Sequence, residues 1–125
     1  MKVRSISHPE RVYTLEYPDI ETCAETIDEY GDLIRPHIVF FGEEVPNMIP
    51  ATRIVEDADI LVIIGTSMVV YPAASLIHFV KPGTPIFYID PKPAVVSDLD
   101  DITYIAKKAT EGMAELSEIL RKNYL

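Results

Sequence analysis

Ile63-Ile64-Gly65-Thr66-Ser67, followed by Val69-Val70-Tyr71-Pro72, is the stretch best suited to hold a ligand. An apolar run that ends on Gly-Thr-Ser reads as a strand entering a loop. In an open parallel sheet, ligands sit beyond the carboxyl ends of the strands. Gly65 lets a ligand approach the backbone, and the N–H groups and hydroxyls of Thr66 and Ser67 could donate to a phosphate or a ribose. Taken alone, such a triplet more often only turns a corner. Asp90 ends a second run, Ile86-Phe87-Tyr88-Ile89, at a separation from Gly65 close to that of dinucleotide sites. A carboxylate there can accept from both ribose hydroxyls. Asp90-Pro91-Lys92-Pro93 is also strong turn chemistry by itself, and spacing alone favours the turn. Phe41-Gly42-Glu43 ends a third run, where the simplest reading is a tight turn with a solvated carboxylate.

Other candidates are set aside. Cys23 is the only cysteine, so no intramolecular disulfide and no Cys₄ or Cys₂His₂ zinc site can be built. No sequence neighbour of Cys23 is of a kind that lowers a thiol pKa. His8, His37 and His78 lack Cys, Asp or Glu partners at zinc-binding spacing. Ser67, His78 and Asp90 have the residue types of a hydrolase triad, but the Gly-x-Ser-x-Gly elbow is missing and His78 falls in a helical segment.

Three elements must carry the first group. Unbroken apolar runs at His37–Phe41, Ile60–Ile64 and Ile86–Ile89, each closed by a turn residue, suit strands buried on both faces of a parallel sheet. Met48–Asp57 and Pro72–Val80 are helical candidates between them, the second with proline in its first turn and Gly83 as its stop. Ile102–Ile105 reads as a last strand. Met113, Leu116, Ile119 and Leu120 then form one apolar stripe of a terminal amphipathic helix. The order predicts an α/β fold, a partial Rossmann-like parallel sheet with flanking helices and right-handed crossovers. Residues 1–34 differ in texture: Val3–Ile6 and Val12–Tyr17 alternate as a short antiparallel pair within a small flap.

Composition bounds the rest. Eleven basic and twenty acidic side chains give a formal charge of −9. Such a chain repels phosphate backbones, so neither nucleic acid nor an anionic membrane surface is an expected partner. No apolar run reaches the ~20 residues of a membrane span, and the first residues lack an apolar signal-peptide core. A cytoplasmic protein is the expectation.

In combination the motifs are more specific. Leu33-Ile34-Arg35-Pro36-His37-Ile38-Val39-Phe40-Phe41-Gly42-Glu43, then Ala58-Asp59, then Ile63 through Ala74, resemble in order the second half of a bacterial-type sirtuin, an NAD-dependent protein-lysine deacylase. The resemblance runs from about Leu33 to the end. It implies that 1–34 is the remnant of the family's small zinc module with its zinc ligands lost, and that 35–125 is the second half of a Rossmann-like NAD-binding domain. It implies NAD contacts at Gly65, Thr66 and Ser67. It also implies them at Asp90, Pro91 and Lys92, where the family usually has Asn, and at Ala109. Val39, Phe41, Gly42 and Glu43, with Val69 and Val70, match the two segments between which an acylated-lysine peptide inserts as an added strand. In the complete family reaction the acyl oxygen attacks the ribose anomeric carbon and nicotinamide leaves.

The resemblance also defines departures. The family's Gly-Ala-Gly loop, Gln-Asn-x-Asp motif and catalytic His find no counterpart, and the chain has no Gln. The expectation is therefore no catalytic residue here, no zinc, and no activity of this chain alone. Two alternatives remain: a non-catalytic module for ADP-ribose, NAD or peptide, and a structural remnant of a truncated gene. An unpaired apolar sheet edge promotes association, so a homo-oligomer or a complementary sirtuin half is an expected partner. The site reading places the tips at Phe41, Ile64 and Ile89 on one ledge.

Overall fold

A computed structural model describes residues 1–18, 21–99 and 101–124; Asp19, Ile20, Asp100 and Leu125 lie outside the described residues. Its contacts divide the chain into two compact units, Met1–Glu44 and Val45–Leu125.

The first unit is a three-stranded antiparallel sheet of β1 (Lys2–Ser5), β2 (Val12–Thr14) and β3 (Ile34–Pro36), in the order β2-β1-β3. The expected pair forms, with Val3 opposite Tyr13, and β3 adds to the other edge with Val3 opposite Pro36. Val3 and Ser5, two apart and so on one face, are both fully buried. The buried Ser5 hydroxyl accepts the His8 N–H at 3.1 Å. A polar knot ties the 28–32 turn to β2. Asp28 accepts the backbone N–H groups of Tyr30 and Asp32 and the Tyr13 hydroxyl, and Arg11 reaches both Asp28 and Asp32. Burial alone would raise the Asp28 pKa; these donors and the Arg11 charge outweigh it and bring it below the ordinary value.

The expected strand at His37–Phe41 does not form. The chain leaves β3 at Pro36 and turns, with Ile38 N–H donating to Pro36 O and Glu43 N–H to Phe40 O. Val39 is 43% and Phe41 92% exposed. The physical reason is that a buried strand needs a neighbour for its backbone groups. β3 is already committed to an antiparallel partner, and the run beyond it is tied by turn bonds at Ile38, Phe40 and Glu43 instead of by a ladder.

The second unit begins with α1 (Met48–Glu56), in which only Val55 is buried while Ile49 and Ile54 stay exposed. Then follow β4 (Leu61–Ile64), a 3₁₀ helix (Ala73–Phe79), β5 (Ile86–Ile89), β6 (Ile102–Ile105) and α2 (Ala109–Asn123). The three strands form a parallel sheet in the order β4-β5-β6. Every residue of the central strand β5 is buried, as expected of a strand covered on both faces. Phe87 and Ile89 pack with Ile105 and with Leu116 of α2. The segment expected as a helix at Pro72–Val80 is 3₁₀, its first turn tightened by Ser75, whose N–H and hydroxyl both donate to Pro72 O. Among the described residues no helix is long and apolar enough to cross a membrane.

Gly112 sets how closely α2 lies on the sheet. A Cβ there would stand 2.2 Å from Ile89 Cγ2 and 3.5 Å from Ile105 Cγ2. Ile89 is fully buried, so its methyl has nowhere to go. Gly112→Ala is expected to lower the urea midpoint. Overpacking costs about 1–3 kcal/mol, against a helix-propensity gain of at most about 1 kcal/mol. A raised midpoint would show that α2 is free to move outward.

Candidate functional site

The parallel register aligns the carboxyl ends of the second unit's strands: Ile64 is opposite Ile89, and Ile89 opposite Ile105. The ladder then runs one step further. Gly65 N–H donates to Ile89 O at 2.9 Å, and Asp90 N–H to Ile105 O at 3.3 Å. The first residues of the two candidate loops are therefore hydrogen-bonded into one rim. After Ile105 the Lys107 N–H bends back to Ile105 O at 2.8 Å, and Ala109 opens α2. Gly65–Ser67, Asp90–Lys92 and Ala109 thus share the edge where an open α/β sheet receives ligands.

Local chemistry shapes each loop. Gly65 has φ +63°, where a Cβ is disfavoured, and it is exposed, so backbone is presented directly to anything on the rim. The Thr66 hydroxyl accepts Met68 N–H at 3.2 Å, while Ser67 is exposed. Asp90 is half-buried, and its Oδ1 accepts Lys92 N–H at 2.8 Å. The turn reading and the acceptor reading of Asp90 are thus compatible, since a carboxylate offers about four lone-pair sites. The N-cap of α2, Lys108, makes no side-chain cap, which leaves helix N–H groups to be met from outside. Lys92, Lys107 and Lys108 give this rim positive charge in an acidic chain, although Lys107 is paired with Glu115 at 2.6 Å.

Tyr88 is the residue that sequence reasoning missed. It is fully buried in β5 and donates its hydroxyl to Thr66 O at 2.5 Å, while accepting Ala94 N–H at 3.3 Å. One phenol thereby joins the loop after β4 to the loop after β5. A tyrosine in an otherwise apolar run is the available signal, because a buried phenol needs a partner.

Beside this loop lies a cavity of about 340 Å³ lined by Ser67, Val69, Tyr71, His78, Val95 and Asp98, among others. His78 Nδ1 is 3.5 Å from Asp98 Oδ2, so its carboxylate neighbour is not the Asp90 weighed in the triad reading. Val69 and Val70 are 70% and 49% exposed.

The other peptide candidates belong to the first unit. Gly42 has φ +86° in the turn that presents Phe41. Glu43, expected as a solvated carboxylate, is instead bound by its own chain. Arg35 donates Nη1 to Oε1 at 2.5 Å and Nη2 to Oε2 at 3.1 Å, Phe40 N–H donates to Oε2 at 3.0 Å, and Arg4 Nη2 lies 3.4 Å from Oε2. The Arg35 bonds and then the Phe40 N–H hold the Glu43 pKa down from 4.5 to about 2. A depressed carboxylate pKa contributes stability that is complete above the unfolded value and fades as pH falls through the folded one. Titration of the Glu43 carboxyl carbon by NMR is expected to give a midpoint near 2, with the loop loosening between pH 4.5 and about 2. A midpoint at the ordinary value would mean a solvated side chain.

Cys23, for which the sequence offered no pKa-lowering neighbour, lies 3.4 Å from the Thr26 hydroxyl, and that hydrogen bond lowers its pKa. Among the described residues no three His, Cys, Asp or Glu side chains gather as a metal site would require.

Comparison with known proteins gives one consistent answer. The family model described as "Sir2 family" matches residues 3–72. An NAD-dependent protein deacylase of Bacteroides thetaiotaomicron is 50% identical over 90 residues, covering 72% of this chain and 38% of the relative. One from Helicobacter pylori is 38% identical over 116 residues, covering 93% of this chain and 48% of the relative. Among solved structures, a Sir2 homolog–NAD complex aligns with a TM-score of 0.74 at 36% identity, over 97% of this chain and 48% of that one. Sir2Tm bound to a propionylated peptide aligns with a TM-score of 0.68 at 25% identity, over 94% and 52%. The chain spans about half the length of these relatives, or less. With a family model that matches more than half of its residues, and relatives up to 50% identical, this chain belongs to the Sir2 family.

Proposed function

We propose that this chain supplies the adenosine and peptide contacts of an NAD-dependent protein deacylase whose catalytic His and Gly-rich loop come from an upstream half. The observation that carries the reading is the hydrogen-bonded rim on which Gly65 and Asp90 each continue the parallel ladder. It suits the adenosine side of NAD: Ser67 and the backbone after Gly65 face the phosphates, Asp90 accepts from the ribose hydroxyls, and Ala109 lies beside the adenine. NAD, when bound, supplies the ribose carbon that takes the acyl group. The chain's own part is to bind, orient and exclude water. Val39–Glu43 in the first unit, and separately Val69–Val70 in the second, are peptide-contacting segments whose exposed backbone suits an extended acylated-lysine peptide.

The remaining features fit this picture. Residues 1–34 take the place of the zinc module without zinc, held instead by the Arg11, Asp28 and Asp32 knot. Residues 35–125 are the second half of the Rossmann-like domain. The protein works in the cytoplasm, and the free edge of its parallel sheet pairs with a complementary half or with a second copy.

Titrating the chain with ADP-ribose and NAD, and assaying nicotinamide release after adding an upstream half from a related deacylase, tests the proposal. Saturable ADP-ribose binding that is weakened by Ser67→Ala, and release only in the mixture, are expected. No binding at millimolar ligand would remove the nucleotide reading, and no release at high concentrations of both halves would remove the catalytic one.

A further inference from the structure

We infer that Arg35 and Glu43 are positioning residues: together they clamp Ile38–Gly42 into a preformed loop, and the Glu43 carboxylate is engaged chiefly by its own chain. The inference rests on the peptide reading above and changes the role of one of its residues. A carboxylate offers about four lone-pair sites, and four donors converge on this one: two from Arg35, the Phe40 N–H and Arg4. Three of them meet Oε2 and one meets Oε1, so most of the carboxylate's capacity is taken by its own chain before any peptide arrives. Arg35 does more than neutralise. Its Nη2 also donates to Ile38 O at 3.1 Å, and its guanidinium lies 4.2 Å from the centre of the Phe40 ring. The pair therefore closes both ends of the segment, from Ile38 O to Phe40 N–H, and pins one aromatic ring.

That geometry explains how an apolar run stays in place without being buried. Ile38, Val39 and Phe40 are 43–54% exposed and Phe41 is 92% exposed. Such a segment lacks the burial that normally offsets ordering entropy. A loop ordered in advance binds more tightly than one that must order on binding. With Glu43 occupied, recognition falls to the backbone of Val39–Gly42 and to the Phe41 ring.

Two variants of the 125-residue chain separate the clamp from the fold. Glu43→Gln puts an amide N–H against Arg35, and Arg35→Lys keeps the charge but loses both the fork and the stacking. By NMR hydrogen exchange, the Phe40 amide is expected to exchange about tenfold faster or more in each variant. The amides of Ser5 and Leu15, which donate to Arg11 O and Met1 O between the first two strands, should be unchanged. Titration with an acetyl-lysine peptide is expected to show about tenfold weaker binding in both variants. Unchanged Phe40 exchange would overturn the clamp. Faster exchange with equal peptide affinity would overturn the positioning role. A flat titration of the unmodified chain would remove the peptide reading, and the positioning role with it, while the exchange data still decide whether the clamp exists.

Discussion

Replacing Leu116 with alanine is expected to destabilise the second unit by about 2–5 kcal/mol. Leu116 is 1% exposed and fills the space between α2 and the sheet, against Phe87, Ile89 and Ile105. Removing its branched end takes away the transfer energy of the lost carbons and leaves a void. The rigid neighbours around it, two β-branched isoleucines on paired strands, cannot collapse into that void. A domain's whole stability is about 5–15 kcal/mol, so this single change should remove a large share of the unit's stability. Leu116→Met, which conserves volume, should cost under about 1.5 kcal/mol. Urea unfolding followed by exchange of the Ile89 amide reads the second unit specifically. If Leu116→Ala costs less than about 1 kcal/mol, α2 is not the lid of this core.

The second large effect concerns Asp90. Asp90→Ala is expected to weaken ADP-ribose binding by about 10- to 100-fold, whereas Asp90→Asn should stay within a few-fold of the unmodified chain or bind tighter. A hydrogen bond to a charged group contributes about 1.5–3 kcal/mol, and each 1.4 kcal/mol is a factor of about ten in affinity. Alanine also loses the Lys92 N–H contact that shapes the loop. Asparagine keeps an oxygen for that turn and adds an amide donor, the residue type the family usually places there. Calorimetric titration of both variants checks this. Equal, unaltered affinity in both would leave Asp90 as a turn residue only.

How much of this was legible beforehand differs by residue. The runs at Ile60–Ile64 and Ile86–Ile89 were readable as strands because continuous apolar sequence of that length suits burial on both faces, and β5 is indeed buried throughout. The terminal helix was readable from its stripe, because helical periodicity is local. His37–Phe41 looks the same on paper and is a loop.

What the sequence by itself determined is the identity of the elements whose signal is local: two apolar strands, an amphipathic helix, and turn residues at Gly65 and Asp90. Tertiary structure alone decided which apolar run found a partner, that the Tyr88 phenol joins two loops, that Gly112 must lack a side chain, and that Glu43 faces Arg35 rather than solvent. Strand pairing and side-chain hydrogen bonds join residues far apart in the chain, and no window of neighbouring residues records which distant group will arrive.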